Sequence, residues 1–130
     1  MRVMQANKYT SVFIVDDSDS IRQRLVAMLE SMADVAIVGE ARTAAEAIDG
    51  ILATQPDSVL LDLNLGTSSG MEVLSTVHRQ LPVVEFVILS NHAEPQYRRA
   101  CAKAGAHYFL DKSTEFDSVR TVIAQIAAHH

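Results

Sequence analysis

Five polar residues stand at the ends of short apolar runs, from which a fold could bring their side chains to one place. They are Asp16, Asp17, Asp62, Ser90 and Lys112. Three carboxylates brought together repel one another unless a cation lies between them, and Mg²⁺ accepts one or two carboxylates together with water and a substrate phosphate. A lysine supplies a positive charge suited to phosphate, and a serine supplies a hydroxyl donor. The set therefore predicts phosphoryl transfer rather than a hydrolytic triad.

The elements that must position these residues follow from the hydrophobic pattern. Apolar runs alternate with segments in which apolar residues recur every three to four positions, as strands alternating with helices do. The predicted strands are residues 12–15, 35–41, 59–61, 83–89 and 108–110. The apolar positions of the predicted helices begin at Ile21, Ala44, Met71, Tyr97 and Phe116. This alternation predicts a parallel sheet covered by helices on both faces, and ligands bind to such sheets beyond the carboxyl ends of the strands.

The fourth predicted helix is bounded by two residues that act as structural signals. Pro95 is expected in the first turn of this helix, and Gly105 is expected to end it. The positions expected to face inward are Tyr97, Ala100, Cys101 and Ala104.

The composition is that of one globular domain. The chain has 130 residues, 48% of them hydrophobic and 21% charged, with a formal net charge of −5. A negative balance argues against direct nucleic-acid binding, which needs a basic face. No apolar run approaches the roughly 20 residues that cross a bilayer, the first ten residues lack the features of a signal peptide, and a single cysteine excludes an intramolecular disulfide. We therefore expect a cytoplasmic protein without a membrane segment.

Four short motifs occur in register along the chain. They are Phe13-Ile14-Val15-Asp16-Asp17, then Leu60-Leu61-Asp62-Leu63 with Gly70 eight residues after Asp62, then Ile88-Leu89-Ser90, and finally Gly105-Ala106 leading to Phe109-Leu110-Asp111-Lys112. Together they resemble the receiver domain of response regulators in two-component signalling. The resemblance covers residues 11–128, so residues 1–130 are expected to be a single receiver domain with residues 1–10 as an N-terminal extension. It implies a flavodoxin-like α/β fold, a doubly wound five-stranded parallel sheet of order 2-1-3-4-5 with five helices.

The resemblance also implies a role for each polar residue at the strand ends. Asp62 is the expected phosphoacceptor, which attacks a phosphohistidine and forms an acyl phosphate. Ser90 and Lys112 are expected to contact the phosphoryl group. The expected Mg²⁺ ligands are Asp16, Asp17, Asp62 and the backbone carbonyl of Asn64.

The implied function is a signalling switch rather than an enzyme. Phe109, three residues before Lys112, falls at the switch-aromatic position of the family and is expected to act together with Ser90. The expected phosphodonor is a histidine kinase or a histidine phosphotransfer protein, and a homodimer or an output domain is expected to read residues 95–126. Ser113 replaces a usual proline, as in receivers that precede LuxR-type DNA-binding domains. We therefore expect the N-terminal receiver of a longer transcription regulator.

Departures from the family pattern concern access to the phosphoryl group. Gly66 stands where the family often has proline, which predicts a looser loop. Asn91 stands where alanine or glycine is usual, and His92 follows it. We expect Asn64, Asn91 and His92 to tune access to the phosphoryl group or its lifetime.

Two other functions stay open on the sequence alone. The first is a receiver-like module that binds a partner without taking phosphate, since Asn91 and Gly66 both depart from the family near the site. The second is a small phosphatase, because Asp62-Leu63-Asn64-Leu65-Gly66-Thr67 resembles the Asp-x-Asp-x-Thr motif of haloacid-dehalogenase-like phosphatases. In that motif the second aspartate is the general acid, and here the position holds Asn64.

Overall fold

A parallel sheet of five strands forms the centre of the part of the chain that the structure describes. The structure is a computed structural model, and it describes residues 9–129. The strands are β1 (Thr10–Val15), β2 (Val35–Ala41), β3 (Ser58–Leu61), β4 (Asn64–Leu65), β5 (Ser68–Ser69), β6 (Glu85–Ser90) and β7 (Tyr108–Asp111). The helices are α1 (Asp19–Glu30), α2 (Ala44–Thr54), α3 (Gly70–Gln80), α4 (Pro95–Ala104) and α5 (Ser118–Ala128). The sheet order is β2-β1-β3-β6-β7 with parallel pairs throughout, so the expected doubly wound fold of order 2-1-3-4-5 is confirmed. Residues 1–8 of the expected N-terminal extension lie outside the described residues.

Alternate residues of the central strands enter two different hydrophobic cores. Phe13 and Val15 of β1 belong to a core shared with α2, α3 and α4. Val12 and Ile14 of the same strand belong to a second core shared with α1 and α5. A strand buried on both faces has no polar face, which is why residues 12–15 of β1 form an unbroken apolar run. The two cores fix the sheet between its helices and so fix the edge at which the strands end.

The helix ends follow the local sequence signals. The Ser18 hydroxyl accepts a hydrogen bond from the Ile21 amide at 3.3 Å and caps α1. Pro95 lies in the first turn of α4, and Gly105 ends that helix with a φ of 115°, as expected. Among the described residues, no helix has the length and hydropathy of a membrane span.

Three sequence predictions about burial were wrong in detail. The predicted strand 83–89 begins at Glu85, because Val83 lies in the preceding turn and is 83% exposed. Tyr97 and Ala100, both predicted to face inward, are exposed. Among the described residues of α4, only Cys101 is buried, since this helix contacts the core along one narrow face.

Two local features of the loops also differ from the expectations. The predicted turn before α3 contains the short antiparallel pair β4 and β5, joined by Gly66 and Thr67. Gly66 has a φ of 71°, which proline cannot adopt, so glycine permits the two-residue turn that joins β4 and β5. Phe116 is buried but precedes α5, which begins at Ser118.

Candidate functional site

The carboxyl ends of four strands meet at one cavity. Asp16 and Asp17 follow β1, Asp62 follows β3, Ser90 is the last residue of β6, and Lys112 follows β7. The cavity has a volume of about 530 Å³. Its walls are formed by Asp16, Asp17, Ser18, Ile21, Asp62, Asn64, Gly66, Ser90, Asn91, His92 and Lys112. The fold therefore brings together all of the predicted site residues except Phe109, which does not line this cavity.

The floor of the cavity is a buried cluster of charges. Asp16 is 1% exposed and Asp62 is 6% exposed, whereas Asp17 is exposed. The Lys112 ammonium lies 2.8 Å from Asp16 Oδ2 and 3.2 Å from Asp62 Oδ2. In the described part of the chain, oxygens of Asp16, Asp17 and Asp62 lie within 4.8 Å of one another. Oxygen ligands at such spacing suit a hard divalent cation.

The pKa values in this cluster reflect two buried carboxylates that face one ammonium group. Burial raises the pKa of Asp62, and the Asn64 amide and the Lys112 charge offset that effect only in part. Burial alone would lower the pKa of Lys112, but the hydrogen bond to Asp16 and the charges of Asp62 and Asp16 raise this pKa above its usual value. The two directions agree because two buried carboxylates face one ammonium. The lysine stays charged, and the site keeps an excess of negative charge.

The loop between β1 and α1 is held by an arginine that the sequence reasoning did not single out. Arg22 Nη1 donates to the backbone carbonyl of Asp16 at 2.7 Å. The same guanidinium pairs with Asp19 and, at 3.3 Å, with Glu40. The Ser18 amide donates to Asp16 Oδ1 at 2.9 Å. These contacts fix both the backbone and the side chain of Asp16, and an arginine in the first turn of a helix after an acidic pair was the available signal.

The loop after β3 fixes the Asp62 side chain. The Asn64 amide donates to Asp62 Oδ1 at 3.1 Å. Gly70 begins α3 so close to this loop that a Cβ atom would lie 2.2 Å from the Asp62 carbonyl oxygen and 2.7 Å from Leu63 Cα. Both of these contacts would be with backbone atoms, which cannot move aside for a side chain at this position. This contact explains why glycine stands eight residues after Asp62.

The residues at the mouth of the cavity contact one another across the loop after β6. The His92 amide donates to Ser90 Oγ at 3.0 Å. The His92 ring lies 5.6 Å from the Tyr97 ring, with an angle of 42° between their planes. Asn91 and His92 are both exposed. They therefore lie at the entrance, between solvent and the buried Ser90 hydroxyl.

Phe109 lies on β7, beside the cavity rather than in it. Its strand partner is Ile88 of β6, two residues before Ser90. The ring is half-buried and packs at the edge of the core that contains Cys101. The Lys112 amide donates to the Ser90 carbonyl at 2.8 Å. Phe109 and Ser90, which are predicted to act together, thus lie on neighbouring strands that are directly hydrogen-bonded.

The raised pKa of Asp62 predicts that the Asp62→Asn variant is more stable than the wild type at neutral pH. The folded protein holds the Asp62 proton more tightly than the unfolded chain, whose value is about 3.8. As the pH rises from about 3.8 through the folded-state pKa, ionisation of Asp62 therefore lowers the free energy of unfolding. Urea unfolding of both proteins should be measured over a pH series. The free energy of unfolding of Asp62→Asn should exceed that of the wild type most above the folded-state pKa, and the difference should vanish below pH 3.8. A gain that does not change with pH would contradict the assignment.

Sequence comparisons identify the family of this chain. The family model of the response regulator receiver domain matches residues 12–124. The transcriptional regulatory protein YvfU of Bacillus subtilis is 30% identical over 112 residues, which cover 86% of this chain and 56% of that protein. The DNA-binding transcriptional activator DevR/DosR of Mycobacterium tuberculosis is 27% identical over 117 residues, which cover 90% of this chain and 54% of that protein. The chain thus spans about half the length of the curated relatives it matches.

Solved structures are similar over nearly the whole chain. A two-component response regulator of the LuxR family from Aurantimonas sp. SI85-9A1 superposes with a TM-score of 0.86 at 25% sequence identity. The similarity covers 94% of this chain and 87% of that one. Since the family model also matches far more than half of the sequence, the protein belongs to the response regulator receiver domain family.

Proposed function

We propose that the protein is a phosphorylation-dependent signalling switch in which Asp62 accepts a phosphoryl group from a phosphohistidine. The observation that carries this proposal is the position of the Asp62 carboxylate, which is buried on the floor of an open cavity 3.2 Å from an ammonium group. In the step itself an Asp62 oxygen bonds to phosphorus while the phosphorus–nitrogen bond of the donor breaks. The electron pair of that bond stays on the histidine nitrogen. The product is an aspartyl phosphate, and its hydrolysis resets the switch.

The neighbouring residues would stabilise charge on the transferred group. Lys112 stays protonated between two carboxylates, so its ammonium can face a phosphoryl oxygen without losing its proton. The Ser90 oxygen accepts a hydrogen bond from the His92 amide, which leaves the hydroxyl proton of Ser90 able to point at a phosphoryl oxygen. Preorganised donors of this kind are the main catalytic contribution of such sites.

The acidic cluster fits the Mg²⁺ ion that the family implies. Carboxylate oxygens of three aspartates lie close together, and the one ammonium beside them does not balance their charge. We propose Asp16, Asp17 and Asp62 as ligands, with the backbone carbonyl of Asn64 as a further one. When bound, the ion would supply positive charge beside the phosphoryl group.

The donor and the output follow from the family and its relatives. We propose a histidine kinase or a histidine phosphotransfer protein as donor. Relatives of which the matched residues cover only 54–56% are named as transcriptional regulators, so we propose that residues 11–128 are the receiver part of such a regulator. The phosphorylated receiver would present an altered surface over residues 95–126 to a second copy or to an output domain, and it would not contact nucleic acid itself.

The phosphoacceptor is tested by intact-mass measurement after incubation with acetyl phosphate and Mg²⁺. The wild type should gain the mass of one phosphoryl group, and Asp62→Asn should gain none, because the amide lacks the nucleophilic carboxylate. Asp49→Asn, a change at an exposed aspartate of α2, should be labelled like the wild type. Labelling of Asp62→Asn would refute the assignment. An unlabelled wild type would instead favour a phosphorylation-independent module, and turnover of a simple phosphomonoester would favour a phosphatase.

The metal site is tested by thermal unfolding with and without Mg²⁺. Asp17→Ala should raise the melting temperature of the metal-free protein, because one of three repelling carboxylates is removed. It should also reduce the stabilisation that Mg²⁺ provides, by about 1.4 kcal/mol at saturating Mg²⁺ for each tenfold loss of affinity. Asp49→Ala is the matched control, since Asp49 is an exposed carboxylate of α2 outside the cluster. A Mg²⁺ effect of wild-type size in Asp17→Ala would exclude this ligand.

Phosphoryl lifetime should depend on the entrance residues. Asn91→Ala removes an exposed polar side chain that lines the cavity, so water should reach the aspartyl phosphate more easily and its half-life should shorten. His92→Ala should act in the same sense, because it removes the ring contact with Tyr97. Loss of the phosphoryl mass over time measures both rates. Half-lives equal to the wild-type value would make Asn91 and His92 bystanders.

Transmission to the output surface is tested by backbone NMR with beryllofluoride and Mg²⁺. Shift changes should spread from the strand ends into residues 95–126, since phosphorylation adds roughly −1.5 to −2 charges at Asp62. Phe109→Ala should leave labelling by acetyl phosphate intact and should remove the changes in that segment. Changes confined to the surroundings of Asp62 in the wild type would contradict the switch.

A further inference from the structure

The side chain of Arg98 joins α4 to three other parts of the molecule. Its Nε donates to the Ala93 carbonyl at 2.9 Å, and its Nη1 donates to the Phe109 carbonyl at 3.2 Å. Its Nη2 lies 3.5 Å from Glu115 Oε1. The guanidinium carbon also stands 4.8 Å from the centre of the Phe109 ring. One side chain thus contacts the loop before α4, the backbone of β7, the loop before α5 and the aromatic face of Phe109.

The guanidinium is held in place over the ring from both sides. Glu115 Oε1 accepts from Arg98 and also from the Asp111 amide at 2.9 Å, so the anion is tied to the end of β7. The Ala93 carbonyl fixes the opposite side of the guanidinium. A planar cation fixed over an aromatic face attracts the ring, and three of its contacts do not require the ring to stay where it is. Only the stacking contact is lost if Phe109 turns away.

This attachment is important for α4 because the helix buries little of its own surface, with Cys101 in the core and Ala104 packed at its edge. Among the described residues of α4, Cys101 alone is buried. The neighbouring Arg99 is exposed. The contacts of Arg98 with the carbonyl and ring of Phe109 therefore join α4 to β7 directly.

We propose that Arg98 is a latch that holds Phe109 in its half-buried resting position and so limits activation of the unphosphorylated protein. This inference rests on the proposed function, since it names a control on the same switch. Turning of Phe109 toward Ser90 withdraws the ring from under the guanidinium and gives up the stacking contact. The latch therefore shifts the resting population away from the state that phosphorylation stabilises. Arg98 acts through Phe109 and is a positioning residue.

The first test is a titration of Arg98→Met with beryllofluoride in the presence of Mg²⁺. Methionine keeps the apolar stem and removes the guanidinium. If the latch opposes the active state, the half-saturating beryllofluoride concentration should fall about threefold to tenfold, because more of the resting protein is competent to bind. Arg99→Met is the matched control on the same helix and should titrate like the wild type. An unchanged or higher midpoint in Arg98→Met overturns the proposal.

A double-substitution experiment separates the latch from a general loosening of α4. In a Phe109→Leu background, Arg98→Met should no longer lower the beryllofluoride midpoint, since the ring on which it acts is gone. Persistence of the full effect in that background overturns the proposal. Glu115→Gln, which removes the anion but keeps an acceptor oxygen, should lower the midpoint in the single variant by less than Arg98→Met. A rise of the midpoint in Glu115→Gln overturns it as well.

A measurement on the resting protein distinguishes failure of the latch from failure of the proposed function. The chain has four phenylalanines, so selectively labelled rings are readily assigned with Phe109→Leu. Nuclear Overhauser contacts from the Phe109 ring to Ser90 should strengthen in unphosphorylated Arg98→Met and stay at the wild-type level in Arg99→Met. Unchanged contacts overturn the latch even if Asp62 is labelled by acetyl phosphate. If the wild type is not labelled, the proposed function fails, and the ring contacts still decide whether Arg98 holds Phe109.

Discussion

The rest of the structure depends on the buried ammonium of Lys112 and its two carboxylate partners. The side chains of Lys112, Asp16 and Asp62 are 11%, 2% and 7% exposed, respectively. Removing the lysine would leave both buried carboxylates without an opposite charge, a change that typically costs about 3–5 kcal/mol. These three residues follow β7, β1 and β3. Only an arrangement that ends these strands at one edge of the sheet satisfies the lysine.

The same interaction leaves the site poised for a ligand. Two buried carboxylates share one ammonium, and Asp17 adds a third carboxylate at the rim. Burial raises the pKa of Asp62, and the neighbouring charge of Asp16 adds to this effect, so the ionised carboxylates carry a free-energy cost. The two apolar cores on either side of the sheet stabilise the fold around this cost. A cation, or a group that withdraws negative charge from Asp62, lowers the free-energy cost of the ionised carboxylates. Carboxylates with a perturbed pKa of this kind often mark functional sites.

The sequence was informative where a residue's environment is set by its strand. Residues 35–41 were predicted as a strand with the bounds that the structure has, and Asp62 was placed from the apolar run before it. Periodicity did not reveal β4 and β5, because two-residue strands are too short to show a pattern. It misplaced Tyr97, since an aromatic on a surface helix has the same spacing as one in a core. Arg98 was missed because its partners on β7 and beyond come from tertiary contact.

Ser90 is the residue at which the ion-pair cluster meets the loop that leads to α4. Its carbonyl accepts from the Lys112 amide at 2.8 Å, and its hydroxyl accepts from the His92 amide at 3.0 Å. A shift of the Ser90 oxygen itself toward a phosphoryl group, beyond rotation of its proton, would lengthen or bend the bond from the His92 amide. His92 lies in the loop after β6, and the carbonyl of Ala93 in the same loop accepts a hydrogen bond from Arg98. Coupling between sites is typically about 1–3 kcal/mol, an amount that a few hydrogen bonds and one stacked ring are large enough to supply.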